Sequence, residues 1–99
     1  MHSIYYMEFT RPVSSGYTVY GKSDCSFCEK VKDLLTEFDE NFIYINCDQY
    51  LIADKAAFLQ FIEKLAGKEH KTFPMIFSST EFVGGYSDTF KKLIETHAD

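Results

Sequence analysis

The sequence predicts a single α/β domain, a four-stranded mixed sheet in three layers with helices on its faces. Three features carry that expectation. Short runs of β-branched and aromatic residues alternate with two helix-period stretches between positions 17 and 66. Two further short runs, joined by only three residues, follow between 75 and 83. A last helix-period stretch comes after them. A strand–helix–strand unit makes the first two strands parallel with a right-handed crossover, and the close pair makes an antiparallel hairpin. Ninety-nine residues suffice for one core and not for two.

Residues 1–16 read as an extension ahead of a domain spanning 17–99. Within it Ile4-Tyr5-Tyr6-Met7 suits a short strand or helical turn, and Arg11-Pro12 and Ser14-Ser15-Gly16 read as a flexible join without chemistry. Thr18-Val19-Tyr20 is the first strand, broken by the turn formers from Gly21 to Asp24. Val31, Leu34, Leu35 and Phe38 recur at i, i+3, i+4, i+7, so a helix is expected from about Ser26 to Phe38. After the polar turn Asp39-Glu40-Asn41, the run Phe42-Ile43-Tyr44-Ile45-Asn46 predicts a strand buried on both faces.

A second amphipathic helix is expected from about Ile52 to Ala66, with Phe58, Phe61, Ile62 and Leu65 inward and Gly67 as its C-terminal cap. Lys68-Glu69-His70-Lys71 reads as a charged loop with His70 solvated. Thr72-Phe73-Pro74 leads into the strand Met75-Ile76-Phe77, and Glu81-Phe82-Val83 forms its hairpin partner. Past Gly84-Gly85-Tyr86, Ser87 has the character of an N-cap with Asp88 at the positive helix end. Phe90, Leu93, Ile94 and His97 share one face of the last helix.

Composition narrows the class. The net charge is −5, which disfavours nucleic acid or an acidic membrane surface as partner. No apolar stretch approaches the roughly 20 residues that span a bilayer. The N-terminus lacks a basic region followed by a long apolar run, so no signal peptide is expected. Three cysteines is an odd count and not the even framework of a secreted disulfide scaffold. A soluble protein of a reducing compartment is expected.

The chemistry concentrates at Cys25-Ser26-Phe27-Cys28, between the first strand and the first helix. A helix N-terminus has unpaired N–H groups and the positive end of the macrodipole, so it favours a thiolate over a thiol. Lys22, three residues earlier, adds positive charge. Cys28 stands i+3 from Cys25, within reach of a disulfide. Cys25 therefore reads as the attacking thiolate and Cys28 as the resolving thiol. The alternative is half of a zinc site, but the further ligands would have to come from Cys47, His2, His70 and His97, which show no second paired spacing. Cys47 itself reads as a half-buried structural cysteine.

Three stretches together resemble the dithiol glutaredoxins of the thioredoxin superfamily. Lys22-Ser23-Asp24-Cys25-Ser26-Phe27-Cys28 is similar to their K-x-x-C-P-Y-C, Thr72-Phe73-Pro74 to their T-V-P, and Gly84-Gly85-Tyr86-Ser87-Asp88 to their G-G-x-x-D. The resemblance covers about Tyr17 to His97. It implies a thioredoxin-like fold and a cytoplasmic, monomeric, glutathione-dependent thiol–disulfide oxidoreductase. Its partners would be glutathione and glutathionylated or disulfide-bonded proteins, ribonucleotide reductase among the candidates.

By position, the resemblance makes Cys25 the nucleophile and Cys28 the resolving residue. It makes Lys22 the partner of the glycine carboxylate of glutathione. Phe27, Thr72, Phe73 and Pro74 would line the groove, with a cis bond before Pro74. Gly85, Tyr86, Ser87 and Asp88 would hold the γ-glutamyl end, with no metal required. Three residues depart from the pattern: Ser26 stands for proline, Phe27 for tyrosine and Phe73 for valine. Relatives lacking that proline can hold a [2Fe–2S] cluster between two subunits, so Ser26 opens a cluster carrier as the alternative function.

Overall fold

The computed structural model describes residues 8–98, so the element expected at residues 4–7 lies outside it. The order is β1 (Tyr17–Gly21), α1 (Ser26–Glu37), β2 (Phe42–Asn46), α2 (Asp48–Ala66), β3 (Met75–Ser78), β4 (Glu81–Gly84) and α3 (Tyr86–Thr96). The four strands lie in the order β2-β1-β3-β4. β1 and β2 run parallel, while β3 is antiparallel to both β1 and β4. The mixed sheet with its βαβ unit and hairpin is the architecture expected.

Alternation along β1 and β3 sends side chains to opposite faces of the sheet. On one face Tyr17, Val19 and Ile76 pack with Val31, Leu34 and Leu35 of α1 and Leu93 of α3. On the other, Tyr20, Met75 and Phe77 pack with Cys47 and with Phe58 and Ile62 of α2. Three layers result. The strand whose run looked doubly buried is the exception. β2 lies at the sheet edge, where it has one neighbour, and Ile43 is 40% exposed.

Two helix starts differ from expectation for local reasons. α2 begins at Asp48, but Asp54 adopts extended backbone (φ −165°, ψ 84°) and divides it. The Asp54 carboxylate accepts the Ala57 N–H at 3.0 Å, so it caps the longer second part. α3 has Gly85, not Ser87, as its N-cap. Its buried residues are Thr89 and Leu93, whereas Phe90 and Ile94 sit at the margin of that face, 44% and 49% exposed. Gly67 caps α2 in the left-handed conformation, as its position predicts.

Residues 9–13 are packed against the domain. Phe9 meets Tyr50, Phe58 and Phe61 at ring-centroid distances of 4.9, 5.4 and 5.2 Å. The buried Tyr20 hydroxyl donates to the Thr10 carbonyl at 2.5 Å. The Tyr50 hydroxyl accepts the Thr10 N–H at 3.1 Å, and the Thr18 hydroxyl accepts the Val13 N–H at 3.0 Å. Part of the extension read at residues 1–16 therefore satisfies a core hydroxyl. Among the described residues, no helix is long and apolar enough to cross a membrane.

Candidate active site

The site forms where β1 gives way to α1. Cys25 is the N-cap of α1 in extended backbone, and its Sγ accepts the Cys28 N–H at 3.2 Å. The sulfur occupies the place a serine or aspartate oxygen takes at an ordinary helix start, so its anionic form meets an N–H and the helix dipole together. Cys25 and Cys28 are joined in a disulfide with Cα atoms 5.3 Å apart. Their exposure differs: Cys25 is half-buried, Cys28 has no exposed surface, and Phe27 between them is half exposed.

The loop carrying Cys25 is held from the far side. Asp48, the first residue of α2, accepts the Ser23 N–H at 2.9 Å and also the Ser23 hydroxyl. These bonds, the hydroxyl first, hold the Asp48 carboxyl below the usual carboxylate range. Nothing in the sequence marks Ser23 and Asp48 as partners, because they are 25 positions apart and meet only once β1 and β2 are paired.

A cavity of about 290 Å³ opens beside the disulfide. It is lined by Phe27, His70, Thr72, Phe73, Pro74, Gly85, Tyr86, Ser87 and Asp88. Eight of these nine are the residues that the resemblance assigned to ligand binding. Lys22, the ninth assigned, does not line the cavity, and its ammonium lies 6.0 Å from the Phe73 ring centroid. The peptide bond between Phe73 and Pro74 is cis. The far wall is set by the two glycines. Gly84 has φ +131°, and a Cβ there would run into the Asp88 carboxylate. Asp88 Oδ2 accepts the Gly85 N–H at 3.3 Å. A larger cavity of about 540 Å³ between α1 and α3 shares only Tyr86 with this one and lacks Phe27, the residue between the two cysteines.

His70 is the lining residue that sequence reading placed in solvent. It is half-buried, with its ring edge-on to Phe82 at 5.1 Å. It stands within the charged run that leads into Thr72, and no local pattern sets it apart there. Cys47 takes no part in the site. It is fully buried in the opposite cluster, and burial together with the Asp48 charge pushes its thiol up to about 12.

The outward sulfur chemistry of one chain thus rests on Cys25, since Cys28 and Cys47 have no exposed surface. Among the described residues no group of three or more His, Cys, Asp or Glu could hold a metal ion. An iron–sulfur cluster needs four ligands. The described residues of one chain offer no such set, and the carrier reading opened by Ser26, which takes one cysteine from each of two subunits with two glutathiones, finds no support here.

Comparison with known proteins agrees with the geometry. The glutaredoxin family model matches residues 17–83. Glutaredoxin 1 of Escherichia coli (strain K12) is 32% identical over 73 residues, covering 71% of this chain and 82% of that protein. Mitochondrial glutaredoxin-2 of Bos taurus is 27% identical over 73 residues, which is 74% of this chain. That match takes in 44% of the bovine protein, so the chain spans less than half the length of this relative. The solved structure of a buckwheat glutaredoxin–glutathione complex shares 26% identity at a TM-score of 0.65, over 84% of this chain and 73% of that one. The family match begins at the first residue of β1 and ends within β4, and the sulfur pair stands where the βαβ unit turns into its helix: the chain belongs to the glutaredoxin family of the thioredoxin superfamily.

Proposed function

We propose that this chain is a glutathione-dependent thiol–disulfide oxidoreductase, acting on glutathionylated proteins and on protein disulfides. The observation that carries the proposal is the placing of a half-exposed helix-capping sulfur beside a groove with a polar end. In the reduced protein the Cys25 thiolate attacks the glutathione sulfur of a mixed disulfide. The Cys25–glutathione bond forms, the protein sulfur leaves and takes a proton. A second glutathione thiolate then attacks the bound glutathione sulfur, which yields oxidised glutathione and restores the Cys25 thiolate.

With a protein disulfide the second step is internal. Cys28 gives up its proton, attacks Cys25 Sγ and releases the substrate thiol, leaving the disulfide seen here. The burial difference supports these roles. A buried Cys28 is out of reach of an outside disulfide and 5.3 Å from its partner, Cα to Cα. In the groove, Thr72 and Phe73 present backbone to the tripeptide, as an added strand would be received. The Asp88 carboxylate takes the γ-glutamyl ammonium, and the N–H groups at the start of α3 take its carboxylate. The Lys22 ammonium serves the glycine carboxylate from the rim. The buckwheat relative, whose structure contains glutathione, supports the choice of ligand.

The test is turnover of a glutathionylated peptide by the native chain, Cys25→Ser and Cys28→Ser. Native and Cys28→Ser proteins are expected to work, and Cys25→Ser to be inert. Turnover by Cys25→Ser would overturn the assignment of the nucleophile, and an inactive native chain would overturn the function.

A further inference from the structure

The loop climbing from α2 to β3 carries three basic residues, Lys68, His70 and Lys71, and only one enters the groove. The Lys71 ammonium lies 3.2 Å from Glu69, and Lys71 lines a separate cavity beside α2. The Lys68 ammonium lies 6.0 Å from the Phe82 ring centroid. His70 lines the cavity next to the disulfide, and its Nε2 is 3.5 Å from Thr72 Oγ1. That separation is longer than a committed hydrogen bond of about 2.7–3.2 Å. The imidazole and the hydroxyl are therefore neighbours in a long contact that a ligand oxygen can replace. With its proton on Nε2, the ring and the Thr72 hydroxyl can both donate to one oxygen between them. Phe82 meets the ring edge-on, and the groove beside it presents the rings of Phe27, Phe73 and Tyr86 together with the polar end at Ser87 and Asp88.

We propose that His70 is a specificity residue for the tripeptide, donating with Thr72 to a carboxylate or peptide carbonyl of glutathione. This rests on the glutathione reading above. It gives His70 no part in the sulfur chemistry: the residue discriminates a glutathionyl group from a smaller thiol at the same sulfur. A mixed disulfide with cysteine would leave the paired donors without an acceptor, because cysteine ends close to the reacting bond.

Single-turnover reduction by the fully reduced chain separates the possibilities, using one peptide carrying either a glutathionyl or a cysteinyl group. The native chain, His70→Ala and His70→Gln are compared, with thermal unfolding confirming that each is folded. Removal of one donor is expected to cut the rate on the glutathionyl peptide by about 3–10-fold. The cysteinyl rate should change by less than about twofold, within the scatter of a neutral surface change. His70→Gln, which restores an N–H donor, should recover most of the preference. A preference unchanged in His70→Ala overturns the inference, as does an equal loss on both peptides or a loss that glutamine does not recover. If the variants are unfolded where the native chain is folded, His70 is structural and the inference also fails. A native chain with no preference for the glutathionyl peptide would overturn the glutathione reading itself.

Discussion

The buried third thiol makes a prediction that can be worked through in numbers. Cys47 is fully enclosed and its thiol is pushed from an ordinary value of about 9 up to about 12, by burial first and by the Asp48 charge second. The folded state therefore keeps a proton that the unfolded chain gives up. Its contribution to stability is present in full below pH 9 and is lost as pH rises toward 12. Between pH 7 and pH 10 the loss is on the order of 1 kcal/mol, from RT times the logarithm of the unfolded over the folded ionisation factors. The comparison belongs in a Cys25→Ser, Cys28→Ser background, where no disulfide can exchange with the exposed Cys47 thiolate. Urea unfolding at the two pH values, with Cys47 present or replaced by alanine, reads the difference directly. Alanine leaves a small packing defect that costs the same at both pH values, and the Tyr20 and Tyr44 hydroxyls, raised by burial before Cys47, remain raised in its absence. Cys47 should make the alkaline loss larger by on the order of 1 kcal/mol. Equal losses would mean that Cys47 ionises within the folded protein, and its inertness would have to be abandoned.

Two further perturbations probe the packing. Tyr20→Phe removes the donor to the Thr10 carbonyl and should cost about 0.5–1.5 kcal/mol, lowering Tm by about 4–8 °C for each kcal/mol; an unchanged Tm would show that the segment at 9–13 does not bear on the core. Gly84→Ala puts a side chain at φ +131° against the Asp88 carboxylate and should cost roughly 1–3 kcal/mol. It should also raise KM for a glutathionylated peptide by displacing Asp88, and a fully stable variant with native KM would refute that account of the paired glycines.

The parts of the fold that depend on periodicity were legible. Val31, Leu34 and Leu35 announce the buried face of α1, and Gly67 announces the end of α2, because both signals are local. The misreadings share another origin. Ile43 is as apolar as a core residue, yet strand order, which the run itself does not encode, leaves β2 at the edge. Phe90 and Ile94 fit a helix period, but one register step decides which apolar residues face the sheet. Ser87 is a good capping residue by type; the backbone reversal at Gly84 starts the helix two residues earlier. Phe9 shows no pattern at all, since its partners Tyr50, Phe58 and Phe61 come from α2. At the site, the cysteine pair and the two groove motifs were legible as contiguous stretches. His70 was hidden in a run of charges, and Lys22 has the right spacing but stands back from the cavity wall.

The interruption at Asp54 bears on how a domain this small survives repeated chemistry. Asp48 tethers the loop holding Lys22 and Cys25, and it lies on the six residues that precede the break. Phe58 and Ile62, which anchor α2 to the sheet, lie beyond it. The reacting loop is therefore moored to a short segment with its own start and end, which meets the helix that seals the core through the Tyr50 ring, 5.4 Å from that of Phe58. Residues 21–25 and 48–53 are tied to each other at Ser23 and Asp48, so a change at the sulfurs reaches the first part of α2 before the part that carries Phe58 and Ile62.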